Sequence, residues 1–161
     1  MRMSEGVEWA LHSCLNLSWV EDGESMKAAR LAAFYGLPPV YLVKQLQALR
    51  RAGILVSVPG PRGGFRLARD PKAISLLDIV VAIEGADPAF TCAQILREGP
   101  GASSRVDYTT TCVLSQAMSK ADLAWRRELA AVSLDDIRRT VEKRYPGTPA
   151  RTRDWFSNLP A

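Results

Sequence analysis

Between Ser4 and Trp19 a stripe at Val7, Leu11, Cys14 or Leu15 and Ser18 recurs close to the helical period, and the polar run "EDGES" follows it. The spacing predicts a first helix there. "SMKAARLAAFYG" predicts a short second helix that starts near Ser25 and closes at Gly36, a residue suited to the left-handed position past a helix end. "LPPVYLVKQLQALRRAG" places Pro39 at a first helical position, sets Leu42, Leu46 and Leu49 on one face, and stops at Gly53. Two short helices joined by a tight turn form a helix-turn-helix.

The period then changes. Ile54 to Val58 reads as extended, "PGPRGG" as a turn, and Phe65 to Ala68 as a second extended segment, which together make a β-hairpin wing. "ISLLDIVVAIEG" reads as a helix capped near Ser75 and closed by Gly85. From Ala86 to Thr111 the chain is polar and without period, and Cys92 and Cys112 bracket this stretch. A loop of that length in a compact domain is functional or disordered. One long helix is expected from Val113 to Lys143 on the stripe Leu114, Met118, Ala121, Trp125, Leu129, Val132 and Ile137. Its length points to pairing between two copies of the chain. The tail after Pro146 offers Trp155 and Phe156 as anchors. The expected fold is thus mainly α with a small β-hairpin wing: a winged helix-turn-helix over residues 1–72, a loop and dimerisation helix over 73–145, and a tail over 146–161.

Composition adds partners to this outline. At 161 residues and 47% apolar, the chain can bury a core, and its opening residues fit neither a secretory signal nor a membrane span, so a cytoplasmic protein without membrane contact is expected. The net charge of +4 is modest, but Gly36 to Arg69 carries Lys44, Arg50, Arg51, Arg62, Arg66 and Arg69 with no acid at all. That is the footprint of a surface facing nucleic acid. Tyr41, Lys44 and Gln45 lie off the leucine face, and Arg62 sits at the wing tip, so these four are the expected contacts to double-stranded DNA. Arg50 and Arg51 suit the helix C-terminal dipole instead. No nucleophile–base set, nucleotide-binding glycine motif or catalytic carboxylate pair is present, which argues against an enzyme.

Three cysteines, Cys14, Cys92 and Cys112, make no disulfide framework and point to metal binding or redox chemistry. Cys14 lies in the apolar run "SCLNL" and reads as a buried structural thiol. In "VEWALH", Glu8 and the single histidine, His12, are four residues apart and so lie about 40° apart on one helix face. Trp9 between them reads as packing.

The run "YLVKQLQALRRAGIL", then "GPRGGFRLAR", then "ISLLDIVVAIEG", then a cysteine-bearing loop and a long helix resembles the Rrf2 family of bacterial winged-helix transcription regulators, which includes iron–sulfur sensors. The resemblance implies a homodimer paired through the long helices and binding an inverted-repeat operator. Many members hold a cluster between the loop of one subunit and the first helix of the other. Two features depart from the pattern: the loop has two cysteines where three are usual, with Tyr108 where a further one is expected, and Pro38 stands where a hydroxyl residue often starts the recognition helix. "VEWALH" is most similar to the redox-sensitive response regulator subtype. A [2Fe–2S] cluster needs four protein ligands. With two loop thiols, the resemblance implies Glu8, His12, Cys92 and Cys112 as that set, with Trp9 relaying ligand movement and the cluster's redox state controlling a repressor. Two other readings stay open: a metal-free switch in which Cys92 and Cys112 form a disulfide, and an iron–sulfur electron-transfer module.

Overall fold

The computed structural model describes residues 3–21, 24–61 and 63–158. Arg62 therefore lies outside the described residues. Helix α1 (Glu5–Leu17) turns Val7, Ala10, Cys14 and Leu17 into the core. Helices α2 (Ala28–Phe34) and α3 (Pro39–Arg51) follow, joined through Gly36, whose φ of 64° is the left-handed turn the sequence anticipated. Leu42, Leu46 and Leu49 are each fully buried. They form the face by which α3 packs on α1, α2 and α4.

Strands β1 (Leu55–Val58) and β2 (Gly64–Leu67) make the antiparallel hairpin, pairing Leu55 with Leu67 and Val58 with Gly64. The hairpin is tied to the segment before α2, because Met26 and Phe65 exchange two backbone hydrogen bonds of 2.8 Å. Only glycine fits beside that bridge: a Cβ on Gly64 would stand 2.3 Å from the Met26 carbonyl oxygen. Helix α4 (Leu76–Glu84) starts with the expected cap, Ser75 accepting from the Asp78 amide while the Asp78 carboxylate accepts from the Ser75 amide. Gly85 closes it.

Beyond α4, the chain runs through a 3-10 turn at Ile95–Glu98 and a single turn of helix, α5 (Tyr108–Thr111), into α6 (Val113–Ala130). Here the expectation of one helix to Lys143 is corrected. The stripe is divided between α6 and α7 (Leu134–Arg144), and a second capping box begins α7 at Ser133 and Asp136. The break is fixed from outside as well: the Leu134 amide donates to the Ile74 carbonyl at 2.8 Å and the Leu76 amide to the Val132 carbonyl at 3.0 Å. The apolar period runs unbroken through Val132 and Ile137, which masks the start signal "SLDD".

The tail is also more ordered than its prolines suggested. It forms α8 (Thr148–Asn158), with Pro149 in the first turn, where a missing amide costs the helix nothing. Trp155 and Phe156 anchor it on Phe34, with ring centroids 4.9 and 5.3 Å away, and Arg30 donates to the Phe156 carbonyl at 2.7 Å.

Asp136 gives the α7 start a pH dependence. Its carboxylate accepts from the Ser133 hydroxyl at 2.6 Å, the Ser133 amide at 3.0 Å and Arg139 at 2.6 Å. Those bonds, the hydroxyl's first, lower its pKa from 3.8 to about 2. A carboxylate depressed in the folded state adds stability above its unfolded pKa and loses it as pH falls through the folded one. Asp136→Asn is therefore expected to melt below wild type near neutral pH, with the gap closing between roughly pH 4 and pH 2 in thermal melts. A gap of equal size at both ends would remove the assignment.

Candidate DNA interface and metal-ligand residues

Helix α3 turns its polar side outward because its leucines are held by α1, α2 and α4. Tyr41 is 62% exposed and Lys44 is exposed beside it. Gln45 is half-buried: its side chain lies over Gly6 of α1, where a Cβ would stand 2.9 Å from the Gln45 amide group. Of the expected DNA contacts on α3, Gln45 is thus the one already in contact with the protein. Sequence reasoning passed over Val40, which is 81% exposed at the start of α3. The signal was available, since Val40 sits about 200° round the helix from Leu42. It also gave no role to Arg66, which is exposed on β2 opposite Val56. Arg50 donates to the Gln47 side chain at 2.9 Å and stays within its own helix.

On α1, Glu8 and His12 are both exposed and share one face, as their spacing requires. Trp9 is half-buried against the core. The His12 ring meets the Tyr35 ring edge-on, centroids 5.6 Å apart. Burial pushes the Tyr35 phenol up to about 12, so the phenol keeps its proton at neutral pH. Cys14 lies fully buried beneath, its thiol pushed up to about 12 by desolvation alone. That thiol is no ligand or nucleophile as it stands.

Cys92 and Cys112 are half-buried free thiols. The Cys92 sulfur accepts from the Gln94 amide at 3.4 Å, and Gln94 adopts φ 55°, a left-handed conformation unusual for a residue with a side chain. Cys112 joins α5 to α6, and its carbonyl accepts from the Gln116 amide at 3.0 Å. The base of the loop is clasped by Arg126 on α6. Its guanidinium donates to Asp122 at 2.7 Å, to the Asp87 carbonyl at 2.8 Å and to the Ala86 carbonyl at 3.2 Å.

Among the described residues, no three Cys, His, Asp or Glu side chains of one chain gather into a group able to hold a metal ion. The candidate ligands stand as two pairs, an outward-facing carboxylate and imidazole on α1 and two thiols in the loop region. By donor chemistry the two pairs together fit a cluster that takes two protein ligands at each iron. A single chain does not bring the two pairs together. On helix α6 the apolar side chains Val113, Leu114, Met118 and Leu123 are exposed, Leu114 by 74%.

A helix-turn-helix followed by a β-hairpin that packs on it, with a basic outward face, defines a winged-helix DNA-binding protein. The chain belongs to the Rrf2 family, described as iron-dependent transcriptional regulators, whose model matches residues 3–140. Among relatives, it is 29% identical over 145 residues to YffB of Lactococcus lactis, named as an HTH-type transcriptional regulator, covering 90% of this chain and 92% of that protein. It is 30% identical over 138 residues to protein aau3 of Rhizobium meliloti, covering 85% of this chain and 84% of that protein. Among solved structures, the fold is shared with IscR of T. potens at a TM-score of 0.67 and 22% identity, over 90% of this chain and 91% of that one. It is shared too with CymR, the global cysteine regulator of B. subtilis, at a TM-score of 0.64 and 19% identity, over 87% and 98%. The family and YffB are described as transcriptional regulators, so this chain is a DNA-binding regulator. No described helix is long and apolar enough to cross a membrane.

The burial of the three thiols makes a direct prediction. In folded, metal-free protein, a thiol-specific reagent near neutral pH should label Cys92 and Cys112 and spare Cys14, which should react only after denaturation. Mass spectrometry of the labelled peptides reads the pattern, and rapid labelling of Cys14 would contradict its burial.

Proposed function

We propose that the chain acts as a homodimer on an inverted-repeat operator, as a repressor whose affinity follows the redox state of a [2Fe–2S] cluster. Glu8 and His12 of one copy and Cys92 and Cys112 of the other would hold the cluster. The observation that carries this reading is the outward-facing Glu8–His12 pair on α1, in a regulator with two loop thiols and no third. When bound, the cluster would supply a one-electron change of charge at the contact between α1 and the loop. The residues of this chain do the rest. Glu8 and His12 fix one side of that contact to the core through α1, Arg126 fixes the loop base to α6, and Trp9, half-buried directly beside Glu8, carries movement of α1 inward. A shift of α1 changes the seat of α3, which rests on it. The two recognition helices then fit or miss their half-sites. A regulator of this kind works in the cytoplasm, where its DNA is.

On the DNA, Lys44 and Arg62 would meet phosphates or guanine edges, Tyr41 a phosphate, and Gln45 an adenine once it leaves Gly6. Val40 is placed for apolar contact with a thymine methyl. Lys44→Ala should weaken operator binding and lower the slope of log affinity against log salt by about one, with melting temperature unchanged. A slope equal to wild type would take Lys44 off the phosphate backbone.

A metal-free disulfide switch is the second reading, and the free, half-buried state of both Cys92 and Cys112 favours it. CymR of S. aureus has been solved in an oxidized form. Anaerobic purification separates the two. About two irons and two sulfides per subunit with visible colour are expected, whereas colourless protein that forms a Cys92–Cys112 disulfide on oxidation would establish the switch. Given a cluster, His12→Cys replaces a neutral donor with an anionic one and should lower the reduction potential. Potentiometric titration reads it, and equal potentials would make His12 a packing residue.

A further inference from the structure

Tyr35 stands between the candidate ligand face of α1 and the turn that leads into the recognition helix. Its ring meets that of His12 at 62°, with centroids 5.6 Å apart. The Tyr35 hydroxyl donates to the His12 carbonyl oxygen at 3.5 Å. The ring also meets that of Phe34 edge-on, with centroids 4.8 Å apart. Phe34 is held in turn by Trp155 and Phe156 of α8. Tyr35 is thus packed against both the His12 and the Phe34 rings, and it cannot follow a movement of His12 without carrying the end of α2 with it. That end is the turn itself. Tyr35 caps α2, Gly36 reverses the chain, and the Leu37 amide donates to the Ala32 carbonyl at 2.9 Å before Pro38 and Pro39 start α3.

We propose that Tyr35 is a positioning residue whose ring sets the orientation of the His12 imidazole and couples the His12 face of α1 to the helix-turn-helix turn. What His12 binds rests on the cluster reading above, whereas the coupling itself rests on the ring contacts. The chain therefore carries a second route from ligand face to DNA face, beside the direct packing of α1 on α3. This route passes from ring to ring into the turn after α2 and joins the C-terminal helix to the same switch.

With one histidine in the chain, the imidazole proton resonances belong to His12 without further assignment. Tyr35→Leu removes the ring and Tyr35→Phe keeps it. The measurements are the His12 ring shifts in metal-free protein, the reduction potential and visible circular dichroism of anaerobically purified protein, and oxidised and reduced affinities for a duplex enriched from a random DNA library. Tyr35→Leu is expected to move the His12 shifts, alter the potential and dichroism, and shrink the ratio of the two affinities by about fivefold or more. Tyr35→Phe should restore all of these. Unmoved His12 shifts and an unmoved affinity ratio in Tyr35→Leu overturn the proposal. If wild type is colourless, the cluster reading alone fails. The His12 shifts and the duplex affinity of metal-free protein then decide the coupling, a change in both supporting it and no change in either overturning it. Should Tyr35→Leu fail to melt cooperatively, nuclear Overhauser contacts between the His12 and Tyr35 rings in wild type take its place, their presence supporting the contact and their absence overturning it.

Discussion

The burial of one side of α1 against α3 and α4 is the contact on which the other arrangements depend. Ala10, Cys14 and Leu17 face inward from α1, and Leu42, Leu46 and Leu49 meet them from α3. Shortening any one of these leucines to alanine in a core this closely filled costs about 2–5 kcal/mol, a large part of a small domain's net stability. The two helices also approach closely at Gly6, where Gln45 occupies the space that any side chain would need. The position of α3 is therefore set by α1, and the outward side of the same helix carries Glu8 and His12. One rigid element has a face that positions α3 and a face that carries the candidate ligands, so neither can move alone.

The sequence was most legible where a local signal and a packed face agree. Pro39 opening α3 and Gly53 following it, the leucines between them, and the Ser75–Asp78 box all state in a few residues what the three-dimensional contacts then enforce. It was least legible where a non-local contact decides. The period through Val132 and Ile137 satisfies a continuous helix, and only the strand-like exchange between Ile74, Leu76, Val132 and Leu134 shows why the chain stops and restarts at Ser133. The tail illustrates the same limit. Its helix is stabilised by Phe34 and Arg30, more than a hundred residues earlier, and nothing local announces those partners.

The candidate site was legible as residue types and half legible as geometry. The i, i+4 spacing of Glu8 and His12 fixes their common face whatever else the fold does. The loop cysteines follow no such rule, because their separation depends on the path of residues 86–111, which Arg126 anchors at one end and α5 at the other. Gln45 and Tyr35 show the remaining gap. A glutamine off the leucine face reads as a DNA contact, yet the absent side chain at Gly6 leaves it room against α1, and nothing local to Tyr35 announces that the His12 ring lies against it.

The break before α7 bears on how two copies would influence one another. Ser75 and Ser133 sit side by side in an antiparallel bridge, each starting a helix with its own capping box, so the starts of α4 and α7 are locked together. Helix α6 packs on α4, while its apolar residues Val113, Leu114, Met118 and Leu123 face outward. A continuous helix from Val113 to Lys143 would have left these apolar residues hanging from one end of the domain, free to bend. With the break pinned to Ile74 and Leu76, α6 is held at its base by backbone hydrogen bonds and along its side by α4. Helix α4 in turn packs on both α1 and α3. Pairing through α6 would then fix the spacing of the two recognition helices through a chain of buried contacts rather than through a flexible stalk, and half-site spacing is what a two-fold operator reads.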